Sequence, residues 1–255
     1  MRRLFKFEFR CREIHLWRVF LPGFQSQEPY LRKLLTLEQA EREKKLADPI
    51  RKSRYIVKKA ILSLLLSRYT GAPPTEIKLA TSHYGKPHVI ANANSPTVEF
   101  NLSHSGEWLF IAFSARGPVG IDIELIIDDF PVSKISRKFF SSCEASLIDD
   151  CPKDCQAQAF FKVWVRKEAY IKAIGKGLYL SLNSFDVSFN LLAPDENPDQ
   201  NICRLAEDVQ NKWFFHEIPS DSKYCACLVS GFNPSNFNIT DLKSFEDLLA
   251  LKIIP

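Results

Sequence analysis

No run of 18 apolar residues occurs in the 255-residue sequence, which argues against a membrane-spanning helix. The first residues, MRRLFKFEFRCRE, are basic, but charges interrupt them too early for the apolar core of a secretion signal, so export is not expected. No C-x-x-C pair occurs among the seven cysteines, Cys11, Cys143, Cys151, Cys155, Cys203, Cys225 and Cys227. An odd count with no paired spacing points to a reduced, cytoplasmic setting. A large excess of positive charge is also missing. The formal net charge of +4 suits an anionic ligand or an acidic partner and falls short of a nucleic-acid signature. No residue-level repeat stands out, and no G-x-S-x-G elbow surrounds a serine, so Ser103-His104 does not read as a hydrolase dyad.

What is present is the composition of an ordinary globular protein, 45% hydrophobic and 25% charged, with 20 phenylalanines for an aromatic core. Ile14 to Leu21 mixes alternation with aromatic and β-branched residues and predicts an early strand, with His15 and Trp17 on one face. A helical segment over Leu37 to Lys45 precedes a longer helix from about Ile50 to Tyr69, whose stripe is Ile56, Ala60 and Leu64. Gly71 and Pro73-Pro74 end it. Val98 to Leu102 and Leu109 to Phe113 read as a hairpin whose connection, Ser103 to Glu107, has turn composition. After Gly117-Pro118 come a strand from Val119 to Leu125 and a helix from about Ala157 to Ile174, stopped by Gly175-Lys176-Gly177. Strands at Phe185 to Leu192, Lys212 to Ile218 and Tyr224 to Gly231 follow, then an amphipathic tail from Thr240 to Leu251. This order predicts an α+β fold in two halves, residues 1–116 and 117–255.

Within Gly120-Ile121-Asp122-Ile123-Glu124, the strand period of two puts both carboxylates on one face. Magnesium is commonly held by one or two carboxylates with phosphate oxygens and water; an amphipathic strand with a solvated acidic face has the same pattern. In Trp164 to Lys172, steps of four align Trp164, Glu168 and Lys172. A third carboxylate beside a lysine could complete a metal site or act as a base, or it could simply be a surface ion pair. Ser103 and His104 can donate hydrogen bonds to an anion. Arg51, Lys52, Arg54, Lys58 and Lys59 open the long helix, where their charge opposes the helix dipole. Arg54 and Lys58 share a face and could grip a phosphate, although a solvated basic face fits the spacing too.

Taken in order, six motifs resemble the larger, surfactin-synthetase type of 4'-phosphopantetheinyl transferase. They are Gly85-Lys86-Pro87, Phe100 to Ser105, Gly120 to Glu124, Phe139 to Glu144, Trp164 to Lys172 and Gly175-Lys176-Gly177. The resemblance spans about Arg51 to Leu180. It implies an intramolecular pseudo-dimer of two similar α+β halves with coenzyme A in the cleft between them, and transfer of its phosphopantetheine arm to a serine of an apo acyl or peptidyl carrier protein.

It further implies Mg2+ held by Asp122, Glu124 and Glu168, with Lys172 on the pyrophosphate or the leaving phosphate; Glu168, at the metal or through a water, is the candidate base for the carrier serine. His104 and Arg54, with Arg51 as a further candidate, would hold the 3'-phosphate, and Lys86 and Ser103 would line the nucleotide pocket, where Tyr84 and Gly85 offer backbone groups to adenine. Val165 stands where the family has a small hydroxylated residue, and Arg42, Lys44 and Lys45 match no family position cleanly. A monomer is expected, with no membrane or nucleic-acid partner. A magnesium phosphohydrolase and a non-catalytic nucleotide-binding module are the rival readings.

Overall fold

The computed structural model describes residues 7–10, 12–90, 98–187, 202–203 and 212–254. The early alternating segment forms β1 (Glu13–Phe20), and both of its faces are buried. Ile14 and Leu16 point one way and Trp17 and Val19 the other. His15 shares the Trp17 face, and His15 Nδ1 and Trp17 Nε1 meet the Tyr69 hydroxyl at 2.8 and 2.9 Å. Short helices α1 (Glu28–Arg32) and α2 (Leu37–Lys44) lead to the long α3 (Pro49–Thr70). Asp48 starts α3 by accepting the Arg51 N–H, and Gly71, at φ 77°, stops it in the left-handed conformation.

The hairpin β2 (Leu79–Thr81) and β3 (Pro87–Val89) precedes β4 (Glu99–Ser105) and β5 (Trp108–Ser114). The β4–β5 connection is shorter than the sequence predicts. Ser103, His104 and Ser105 continue the strand in register with Phe110, Leu109 and Trp108, and only Gly106 and Glu107 turn. The polar composition of 103–105 marks a strand face lined for chemistry rather than a turn.

The second part of the chain opens with β6 (Val119–Leu125), continues through α4 (Val132–Phe139), α5 (Ser142–Asp149) and α6 (Gln156–Ile174), and reaches β7 (Ile202–Cys203), β8 (Trp213–Glu217) and β9 (Tyr224–Ser230). The strand expected from Phe185 is not formed over 185–187, and its remainder lies outside the described residues, as does the loop at 194–199. The tail forms β10 (Asn236–Leu242) and α7 (Phe245–Ala250). Among the described residues no helix is long and apolar enough to cross a membrane, and Cys143, Cys151, Cys155, Cys225 and Cys227 are free thiols.

Two four-stranded sheets result, in the orders β10-β1-β5-β4 and β6-β9-β8-β7, with β2-β3 apart. Helix α3 covers the outer face of the first through Ile56, Ala60 and Leu64, and α6 covers the outer face of the second through Phe160, Val163 and Tyr170. The inner faces meet through Ile14, Leu16 and Phe110 on one side and Ile121, Ile123 and Leu228 on the other. The α+β class is therefore as the sequence predicts. A boundary near residue 117 separates the sheets with one exception. Residues 236–250, grouped with the second half in the sequence reading, return to the first sheet, where β10 runs parallel to β1.

Candidate active site

Where the two sheets adjoin, the outermost strands β4 and β6 are joined by side chains. The Ile121 N–H donates to Asn101 Oδ1 at 3.0 Å and the Leu125 N–H to Ser105 Oγ at 3.0 Å. Ser103 Oγ donates to Asp122 Oδ1 and Ser105 Oγ to Glu124 Oε2, both at 2.7 Å. Asn101, Ser103 and Ser105 recur every second residue, so one face of β4 satisfies an otherwise open sheet edge. On β6 the same period sends Ile121 and Ile123 into the core and leaves Asp122 and Glu124 on the seam.

Helix α6 closes over this seam at backbone distance. A Cβ added at Gly120 would lie 2.0 Å from the Ala169 carbonyl oxygen and 2.4 Å from the Ala173 nitrogen, so the glycine admits the helix. That approach brings Lys172 Nζ to 2.6 Å from Asp122 Oδ1, 2.9 Å from Ser103 Oγ and 3.3 Å from the Ile121 carbonyl. Glu168, one turn earlier, is half-buried with no hydrogen-bond partner among the described residues.

Burial raises the pKa of all three carboxyls. For Asp122 the Lys172 ammonium opposes the rise. For Glu124 the Ser105 hydrogen bond opposes it, while Asp122 and Glu168 add repulsion. For Glu168 the Asp122 charge adds to the rise and Lys172 opposes it.

The opposite wall is basic. Lys58 of α3 donates to His104 Nε2 at 2.7 Å. Loss of water, then the nearby Lys59 and Arg54, lowers the Lys58 pKa to about 8. Loss of water, then Lys58, Lys172 and Arg54, lowers that of His104 to about 4. Arg54, Lys58 and Lys172 thus form one cationic group around a neutral His104, and Lys58 makes no ion pair with a carboxylate among the described residues. Such a cluster suits a multiply charged anion.

Four sequence-predicted positions stand apart. Arg51 is exposed in the first turn of α3. Lys86 donates to the Val119 and Ala173 carbonyls at 3.1 and 3.2 Å, which ties the β2–β3 hairpin to β6 and the end of α6. Tyr84 and Gly85 occupy the hairpin turn, Gly85 at φ 86°, with the Tyr84 ring against that of Tyr179 at 5.1 Å. Sequence reasoning pairs Lys58 with Arg54 as a possible phosphate grip and gives Asn101 and Ser105 no role of their own in the site. The signals available were the turn between Arg54 and Lys58 and the alternation around Ser103.

A profile described as the 4'-phosphopantetheinyl transferase superfamily matches residues 118–229, and one described as the N-terminal part of 4'-phosphopantetheinyl transferase matches residues 26–116. The 4'-phosphopantetheinyl transferase gsp of Aneurinibacillus migulanus is 33% identical over 202 residues, 76% of this chain and 79% of that protein. This chain belongs to the 4'-phosphopantetheinyl transferase family. It is of the larger type, with HetI of Nostoc sp. 28% identical over 220 residues, 86% of this chain and 89% of that transferase. A holo-[acyl-carrier-protein] synthase structure from Thermotoga maritima overlaps 44% of this chain and 61% of its own at 23% identity and a TM-score of 0.32.

Transferases of this family are expected from the sequence motifs to use magnesium, and the residues at the seam fit that ion in their chemistry. The acidic donors are all carboxylate oxygens, as a hard cation requires, and the buried Asp122 Oδ2 has no hydrogen-bond partner. Burial raises all three pKa values, and repulsion from neighbouring carboxylates adds to the rise at Glu124 and Glu168; a divalent charge would relieve that repulsion. Among the described residues no three such side chains are already gathered into a metal cage, and Lys172 holds the other oxygen of Asp122.

Proposed function

We propose that this transferase moves the 4'-phosphopantetheine of coenzyme A to a serine of an apo acyl or peptidyl carrier protein and releases 3',5'-ADP. The observation that carries the reading is the pairing across the β4–β6 seam of an acidic group, Asp122, Glu124 and Glu168, with a basic one, Arg54, Lys58, His104 and Lys172. An anionic pyrophosphate with a phosphate monoester at its far end needs both. In this reading the two sheets with their covering helices are the two halves of a pseudo-dimer, and the protein acts as a cytoplasmic monomer.

The cationic wall binds the anions of the coenzyme. His104 and Arg54, joined by Lys58, take the 3'-phosphate, and Lys172 faces the pyrophosphate. Magnesium, held by Asp122, Glu124 and Glu168, would supply neutralising charge beside the pyrophosphate. Glu168, whose pKa is raised, takes the proton from the carrier serine. The serine oxygen then forms a bond to the phosphorus that bears pantetheine. The bond from that phosphorus to the bridging oxygen breaks, and the oxygen leaves with 3',5'-ADP. Lys172 donates a hydrogen bond toward the charge developing on that leaving group. Ser103 and Asp122 hold the ammonium in place.

The test is incubation of purified protein with coenzyme A, magnesium and an apo acyl carrier protein, followed by the intact mass of the carrier. A gain of one phosphopantetheine, lost with a chelator and in Asp122→Ala, is expected. Release of inorganic phosphate with an unmodified carrier would favour the phosphohydrolase reading. Coenzyme binding with neither product would favour the binding module.

A further inference from the structure

Strand β6 has a second face, and a cavity of about 250 Å³ lies against it. Ile123, between Asp122 and Glu124, points away from the seam into the contact between the sheets, and at one end of that contact the layers part. Ile123 and Phe110, both buried, form the floor, and Trp108 and Tyr224 form the walls. Arg18 and Lys243, two carboxylates, Asp221 and Asp241, and Pro219 and Ser220 complete the lining. Arg18 bridges the two sheets there, with Nε donating to Asp241 Oδ1 and Nη1 to the Pro219 carbonyl, both at 2.6 Å.

Two features point to a ligand. The walls are aromatic, and Trp108 and Tyr224 are only partly buried, so a flat ring could cover apolar surface that solvent still reaches. Two donors are also unused: Arg18 Nη2 has no partner among the described residues, and the Tyr224 hydroxyl accepts the Glu107 N–H at 3.4 Å while its own hydrogen finds no acceptor among them. The volume holds one or two rings, given that about 150 Å³ accommodates benzene.

We propose that this cavity binds a small aromatic carboxylate, its ring between Trp108 and Tyr224 and its carboxylate on Arg18 and the Tyr224 hydroxyl, and that occupancy modulates turnover through β6. The route is short. Ile123 is the backbone neighbour of both seam carboxylates, and Tyr224 pairs with Leu125 while its hydroxyl packs against Gly106 in the β4–β5 turn, next to Ser105. A ring pressed on Ile123 and Tyr224 therefore acts on both strands of the seam without entering it. The modulation rests on the reading of Asp122 and Glu124 as carboxylates of the transfer reaction; the binding does not.

The experiment is calorimetric titration of the full chain with 2-naphthoate, alone and with saturating coenzyme A, beside turnover assays at several coenzyme concentrations. The expected result is one saturable site, weakened about tenfold in both Tyr224→Phe and Arg18→Met through loss of a hydrogen bond to a charged group. The neutral 2-naphthalenemethanol should bind more weakly by a similar factor. Coenzyme A should not displace the probe, and kcat should change with the KM for coenzyme A unmoved. No saturable binding, binding indifferent to both variants and to the carboxylate, or displacement by coenzyme A would each overturn the site. Binding as expected with unchanged turnover would overturn the modulation alone. Loss of transfer in the untreated protein would count against the proposed reaction and leave the binding result standing.

Discussion

Glu168 and Lys172 lie one helical turn apart and have opposite tasks in the proposed reaction, and single substitutions separate them. Glu168→Gln keeps size and burial while removing the proton acceptor, so transfer should fall by about 10²- to 10⁴-fold with the coenzyme dissociation constant nearly unchanged. Stopped transfer assays and calorimetry on the same preparation check this; near-normal turnover would rule out Glu168 as base. The Lys58–His104 contact makes a prediction with pH. An arriving phosphate favours the charged form of Lys58, whose pKa in the free protein is about 8, so binding takes up protons. Affinity for 3',5'-ADP should fall as pH rises from 7 to 9, and the slope should shrink in Lys58→Met.

In the free protein the sign for His104 runs through stability. Its pKa is depressed to about 4, so between about pH 6.5 and 4 the unfolded chain binds a proton that the folded chain refuses. That contribution is present above pH 6.5 and lost as pH falls. Urea midpoints at pH 7 and 5 should therefore differ less in His104→Gln than in the parent.

At the scale of elements, the close contact of α6 and β6 decides whether those residues can act. Gly120→Ala places a methyl against the backbone of Ala169 and Ala173, and backbone cannot swing aside. The helix must lift, at a cost of about 1–3 kcal/mol, and Lys172 is drawn from Asp122. A lower urea midpoint together with lost transfer checks it. Loss of stability alone would mean that the seam tolerates the shift. This contact was legible in part. The alternation of Asp122 and Glu124 and the turn between Glu168 and Lys172 follow from local periodicity, as does the stop at Gly175. A glycine at 120 lets another backbone come close, and the approaching group is the α6 backbone. What local pattern could not give was pairing across the fold. Ser103, His104 and Ser105 have the composition of a turn, and only the ladder to β5 and the acceptors on β6 show them as strand. Likewise Lys86 resembles a ligand-binding lysine until the carbonyls of Val119 and Ala173 come within reach.

For the molecule as a whole, the segment least legible in the sequence is the tail. Its amphipathic pattern was plain, but its destination is a strand more than 200 residues earlier, and no local signal specifies so distant a partner. In the structure β10 pairs with β1 from Asn236 opposite Glu13 to Leu242 opposite Val19. Beyond it Leu248, Ile253 and Ile254 join Ile56 and Leu65 in the core under α3, and the Arg68 side chain donates to the Ile253 carbonyl. Strands β1 and β10 thus belong to one sheet, although the carboxylates of the proposed reaction sit on the other. Ending the chain after Ser235 should uncover the β1 edge and remove four buried apolar side chains, Leu242, Leu248, Ile253 and Ile254, from the core they share with Ile56 and Leu65. Each removes about 1.5–3 kcal/mol of burial, and their sum is comparable to the whole stability of an ordinary domain. The shortened chain should therefore bind a hydrophobic dye and associate, and its first sheet should lose amide protection before the second. If it instead remained monomeric with full transfer activity, the first sheet would owe its stability to α3 alone, and the parallel pairing of β10 would be an accessory to the seam rather than a condition for it.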